Sequence, residues 1–172
     1  LLINSEVSNL ANKTLKEANA ALDKKDYKTA APKFVDIYNL TKALGATDEL
    51  YKYQAAISYY NANDFTNSLN IIKELAAANF TGKTETQTKD YNRDLYVLAL
   101  NNLYTSKTYD PILDEGLAKY PNDADISTLA TAIYQLTGNG EKMKSQLEES
   151  IKINPNDQAS LYNLGTLYLQ DN

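Results

Sequence analysis

Acid-base or metal chemistry in this chain must come from carboxylates, lysine or tyrosine, because the 172 residues include no cysteine and no histidine. The first absence removes disulfides, thiol nucleophiles and thiolate metal sites. The second removes the commonest general base and the commonest transition-metal ligand. Carboxylates do occur in pairs, as at Asp114-Glu115 and Glu148-Glu149. On a helix, however, adjacent side chains point about 100° apart, so such pairs form no site by themselves. No catalytic, metal-ligating or cofactor-binding residue is assigned, and the chain is expected to be non-catalytic.

The elements that would position any site have ordinary globular chemistry. Hydrophobic residues make up 43% and charged residues 23% of the chain, close to the average for folded domains, so wholesale disorder is not expected. The net charge is −5 and the charges are scattered. Nucleic acids and anionic membranes both call for clustered positive charge, so neither is an expected partner. No apolar run approaches the roughly 18 residues that would mark a membrane span. Leu1-Leu2-Ile3 is too short for a signal segment, and the first residue reads as a processing boundary. Arg93 is the only arginine, whereas asparagine occurs 19 times and tyrosine 14 times. That bias resembles mature exported proteins of bacteria with AT-rich genomes and leans toward the periplasm or cell envelope, although codon usage produces it in any compartment. Asn-x-Thr triplets begin at Asn12, Asn39 and Asn79; in a chain this rich in both residues they are expected by chance and no glycan is assigned.

Self-similarity is the strongest signal. "YPND" at residues 120–123 and "NPND" at 154–157 place Pro121 and Pro155 34 residues apart, each between two helical patterns. Proline ends one helix and asparagine or aspartate caps the next. Between them Ile126, Leu129, Ala130, Ile133 and Tyr134 recur at helical spacing, "TGNG" breaks the chain, and Met143, Leu147, Ser150 and Ile151 resume the pattern.

This helix-turn-helix resembles the tetratricopeptide repeat, with its W-x2-L-G-x2-Y and A-x3-F signatures. "LYNLGTLY" supplies Leu161 in the tryptophan position, then Leu164, Gly165 and Tyr168; "DYKTAAPKF" supplies Ala30 and Phe34; "NDFTNSLNII" supplies Phe65, Ser68 and Ile72. The small residues let helix backbones approach and the large ones fill the space beside them. Four helix pairs and a half are expected: 6–23 with 27–43, 48–62 with 65–79, 90–105 with 111–120, 123–137 with 141–153, and a lone helix over 157–170. Pro32 is expected to kink or delay its helix. Asp110-Pro111 reads as a cap followed by a first-turn proline. The unpatterned stretch "NFTGKTETQTK", residues 79–89, is expected to be a mobile loop.

The resemblance implies an all-α solenoid of about four and a half repeats in one domain spanning 1–172, a right-handed superhelix whose concave groove binds a peptide segment or partner helix. Carried over, the groove positions are Leu15, Asn19, Leu22, Tyr53, Ile57, Tyr60, Asn101, Tyr104, Thr128, Gln135, Tyr162 and Thr166, a neutral surface with an aromatic centre. The implied function is a protein-interaction scaffold. The alternatives are a structural or self-assembling envelope module, and the helical part of a larger assembly or glycan-handling protein. The lone helix at 157–170 reads as the start of a fifth pair, so the chain is expected to continue past residue 172 or to pair with a second copy through that helix.

Overall fold

The structure is a computed structural model that describes residues 2–46, 48–83 and 89–170. The described residues form nine helices and no strand: α1 (Leu2–Asp23), α2 (Tyr27–Ala43), α3 (Leu50–Asn61), α4 (Phe65–Ala77), α5 (Asn92–Ser106), α6 (Ile112–Lys119), α7 (Ala124–Leu136), α8 (Gly140–Ile153) and α9 (Gln158–Gln170). The protein is all-α. None of these helices is long and apolar enough to cross a membrane.

Aspartate sets where the helices begin. The side chains of Asp26, Asp48, Asp64, Asp90, Asp110, Asp123 and Asp157 each accept a hydrogen bond from a backbone N–H two or three residues ahead, at 2.9–3.2 Å for the shortest in each case. A carboxylate there satisfies one of the orphan donors of the first turn and sits at the positive end of the helix dipole. Seven of the chain's 22 acidic residues are therefore spent on helix starts, which accounts for part of its acidity.

The turns inside the helix pairs share one construction. Lys25, Asn63, Lys107 and Gly138 adopt φ of 56°, 61°, 54° and 70°. In each case the next residue donates its N–H to the carbonyl five residues back: Asp26 to Ala21, Asp64 to Tyr59, Thr108 to Leu103 and Asn139 to Tyr134, at 2.8–3.0 Å. This is the Schellman closure, in which one left-handed residue turns the chain and the backward bond satisfies a terminal carbonyl. The same closure follows α2 at Gly45 and α4 at Asn79.

The chain divides into two compact units, Leu1–Leu98 and Ala99–Asn172, with α5 beginning in the first and ending in the second. In the first unit α1 packs on α2, α2 on α3 and α3 on α4. Its core joins Ala18, Ala21, Ala30 and Ala55 to Phe34 and Ile37. The alanines bring helix backbones close and the two large side chains fill the remaining space. Ser68 plays the small-residue part between α3 and α4, and its buried hydroxyl donates to the Ala56 carbonyl at 2.8 Å. In the second unit α6 packs on α7, α7 on α8 and α8 on α9. Ile126, Ala130, Ile133 and Tyr134 of α7 and Met143 and Leu147 of α8 are buried.

Two expectations need revision. Pro32 does not delay α2, which starts at Tyr27 with the proline inside it. Proline removes one N–H and leaves the Lys28 carbonyl without its helical donor; Pro32 and Lys28 are both exposed, so water can take that place. The polar stretch before α5 has firmer ends than its composition suggests. Phe80 is buried, the Tyr91 N–H donates to the Thr81 carbonyl at 2.7 Å, and the Asn92 amide donates to the Phe80 carbonyl at 2.7 Å. Gly82, at φ 67°, lies so close to the Tyr91 ring that a Cβ would come within 2.7 Å of it. The middle of the expected mobile loop, residues 84–88, and the chain end at 171–172 lie outside the described residues.

A lysine or asparagine held left-handed gives up about 1 kcal/mol relative to glycine, part of which glycine loses again through its freer unfolded chain. Lys25→Gly and Asn63→Gly are each expected to stabilise the protein by about 0.5 kcal/mol, and Lys25→Val to destabilise it by more than 1 kcal/mol. Urea denaturation midpoints of the three variants check this ordering.

Candidate functional site

Helices α7 and α9 both rest on α8, and a shallow groove runs between them. Its floor comes from Met143 and Leu147 of α8, and its walls from one stripe of each neighbouring helix. Two adjoining depressions of about 230 Å³ each share Gln135 and Asn163 as common lining. Each is smaller than the roughly 300–1,000 Å³ usual for an enclosed small-molecule site. The shape suits an elongated occupant lying across both.

The lining mixes apolar side chains such as Leu147 and Leu167 with neutral polar ones and is almost uncharged. Ser127, Thr128, Thr131 and Gln135 come from α7, and Ser160, Asn163 and Thr166 from α9. The Thr131 hydroxyl donates to the Ser127 carbonyl and the Thr166 hydroxyl to the Tyr162 carbonyl, both at 3.0 Å. Their donors are thus engaged within their own helices while the oxygen lone pairs remain as acceptors. The side-chain amides of Gln135 and Asn163 have no protein partner among the described residues and offer both donors and acceptors. Asp157 is the single carboxylate of the lining, and capping α9 occupies it: Ser160 donates to it through its hydroxyl at 2.7 Å. That bond, with those from the Ser160 and Ala159 amides, holds its carboxyl below the ordinary value.

The expected groove residues separate into distinct environments. Thr128, Gln135 and Thr166 are brought together on this groove. Tyr162 is 76% exposed and does not line the groove, standing about 40° round α9 from Thr166. Asn101 is half-buried and Tyr104 exposed on α5, outside the lining. In the first unit Leu15 and Leu22 pack against the alanine-rich core, and Asn19 is exposed beside them. Ile57 is half-buried, and the half-buried Tyr60 ring meets Phe65 at 5.9 Å between centroids. Tyr53 is only 7% exposed, with Phe80 and Tyr91 rings at 5.5 and 5.4 Å. Burial pushes its phenol up to about 12. An aromatic centre is thus consumed by packing, and the neutral character of the α7/α9 groove comes from hydroxyls and amides. Asn163 and Thr131 escape a reading based on family positions alone. The signal that finds them is helical spacing, since Thr131 is three residues after Thr128 and Asn163 three before Thr166.

The densest gathering of titratable groups lies elsewhere in the second unit. Asp114 of α6 accepts hydrogen bonds from Tyr109, Tyr134 of α7 and Lys142 of α8. Lys142 also donates to the Tyr109 hydroxyl and lies 4.5 Å from the centre of that ring. Burial raises the Asp114 pKa, but the hydrogen bonds from Lys142, Tyr109 and Tyr134 and the Lys142 charge outweigh it and hold the group below the ordinary carboxylate value. The bonds to Asp114 and Tyr109 raise Lys142. Burial, then the Asp114 contact, raises Tyr134. Asp114, Lys142 and Tyr134 are thus each moved away from the near-neutral pKa that proton transfer favours. What the cluster does is tie α6, α7 and α8 together. Among the described residues no group of three or more His, Cys, Asp or Glu side chains could hold a metal ion.

No family model, curated protein or solved structure matches this chain.

Because the folded pKa of Asp114 lies below its unfolded value of about 3.9, the stabilisation it brings is complete above that value. It is lost as pH falls from there through the folded pKa. Asp114→Asn is therefore expected to lower the urea midpoint at neutral pH, with the gap to the parent narrowing as pH drops from about 5 toward 2.5. A gap that stays constant over that range contradicts this role for the carboxylate.

Proposed function

We propose that the chain is a non-catalytic interaction scaffold of tetratricopeptide-like helix pairs, and that its α7/α9 groove takes an extended, uncharged stretch of a partner polypeptide. One observation carries the reading: Thr128, Gln135, Asn163 and Thr166 converge on one open groove whose amides have no protein partner among the described residues. Such side chains match a peptide backbone, which alternates donors and acceptors along its length. Each groove helix has 13 residues. At about 1.5 Å per residue that is roughly 20 Å, room for about six residues of extended chain at about 3.3 Å each. Support for the repeat architecture comes from the shared turn construction and from successive helices packing on their neighbours within each unit.

Peptides selected from a random display library on the purified chain provide the test, with affinities read by fluorescence anisotropy. Gln135→Ala and Asn163→Ala are each expected to weaken binding about two- to tenfold, the worth of one or two neutral hydrogen bonds. Ser145→Ala, on the exposed part of α8, leaves it unchanged. Raising the salt concentration changes affinity little, since the groove carries a single charged side chain and the proposed occupant none. Selected peptides that bind both groove variants as tightly as the parent contradict the proposal.

A further inference from the structure

The face of α9 turned away from the groove is apolar and open. Leu161 is 46%, Tyr162 76%, Tyr168 45% and Leu169 81% exposed, four of the eight exposed large hydrophobic side chains among the described residues. At about 100° per residue these four fall on one stripe, and Gly165 lies at its centre. The stripe is a palindrome. Counting from Gly165, leucine stands four residues before and four after, and tyrosine three before and three after. Glycine inside a helix is the least favourable ordinary residue after proline. Nothing in the chain requires it here, because a Cβ at Gly165 would meet no atom within 4 Å.

We propose that a second copy of this chain covers this face, with the two α9 helices antiparallel about a two-fold axis passing beside Gly165. Antiparallel two-fold pairing sets each position before the axis against the equally distant position after it on the partner copy. Leucine then meets leucine, tyrosine meets tyrosine, and the paired glycines allow the backbones to approach at the crossing. No other antiparallel register matches both residue types. Charge does not oppose the pairing, since α9 contains no Asp, Glu, Lys or Arg from Gln158 to Gln170. Tyr168 is already held in place: its hydroxyl donates to Glu148 at 3.1 Å and Lys144 lies 4.5 Å from its ring centre. With large side chains presenting roughly 200 Å² each when bare, the stripe leaves about 500 Å² per copy. The pair removes about 1,000 Å², the size at which a specific interface begins.

Sedimentation equilibrium on the full chain, from low micromolar to several hundred micromolar, tests this. The parent is expected to show a reversible dimer. Leu161→Glu is expected to raise its dissociation constant by a factor on the order of a hundred, because the symmetry introduces the charge twice into an apolar contact. Adding Leu169→Lys to that variant restores the dimer, since residue 161 of one copy meets residue 169 of the other. These positions are solvent-exposed, and unchanged circular dichroism verifies that the variants fold. A parent that stays monomeric throughout overturns the proposal. So does a dimer indifferent to Leu161→Glu, or one the double variant fails to restore. The outer face and the groove lie on opposite sides of α9, so loss of peptide binding and loss of dimer are separate outcomes.

Discussion

Each helix pair closes through a single left-handed residue, and the hydrogen bond reaching five residues back fixes where the second helix leaves the first. Everything downstream depends on that geometry. A helix that departed in another direction would not bring Ala30 and Phe34 against Ala18 and Ala21, or Met143 and Leu147 beneath α7. Three of these four turns use lysine or asparagine where glycine would be unstrained. The strain at each is about 1 kcal/mol, small against the packing of the helices it joins.

Helix existence was legible because two local signals coincide: apolar spacing at three and four residues, and an aspartate ahead of most helices. Both operate within one turn, and the expected boundaries lie within about two residues of the observed ones for most elements. The exceptions are informative. Pro32 was expected to kink or delay α2; it does not delay it, because on an exposed helix face water can take the place of the missing donor. Residues 79–83 looked unanchored because composition cannot reveal that Phe80 packs against the Tyr53 ring, Gly82 against the Tyr91 ring, and that Asn92 bonds the Phe80 carbonyl. The turns at Lys25, Asn63 and Lys107 were also hidden, since lysine and asparagine do not announce a left-handed backbone as Gly138 does.

The candidate groove was only partly legible for a related reason. Helical phase assigns a residue to a side of its helix but not to the neighbour it meets there. Thr128, Gln135 and Thr166 have the right phase and the right neighbour. Tyr53 was expected on the open groove from its family position, yet Phe80 and Tyr91 pack against it. Tyr162 and Asn163 are adjacent in sequence and point about 100° apart on α9, one toward the open outer face and one into the groove. This division gives a single helix two separate surfaces, polar on the side shared with α7 and apolar on the other.

The central claim is that the polar surface between α7 and α9 holds the partner polypeptide. Amide chemical shifts of the isotope-labelled chain, followed while a selected peptide is titrated in, test it most directly. The account predicts that the largest changes fall in residues 127–135 and 159–167, with the core helices of the first unit unmoved. Changes centred on α1 to α4 would contradict it, whatever the affinity of the peptide.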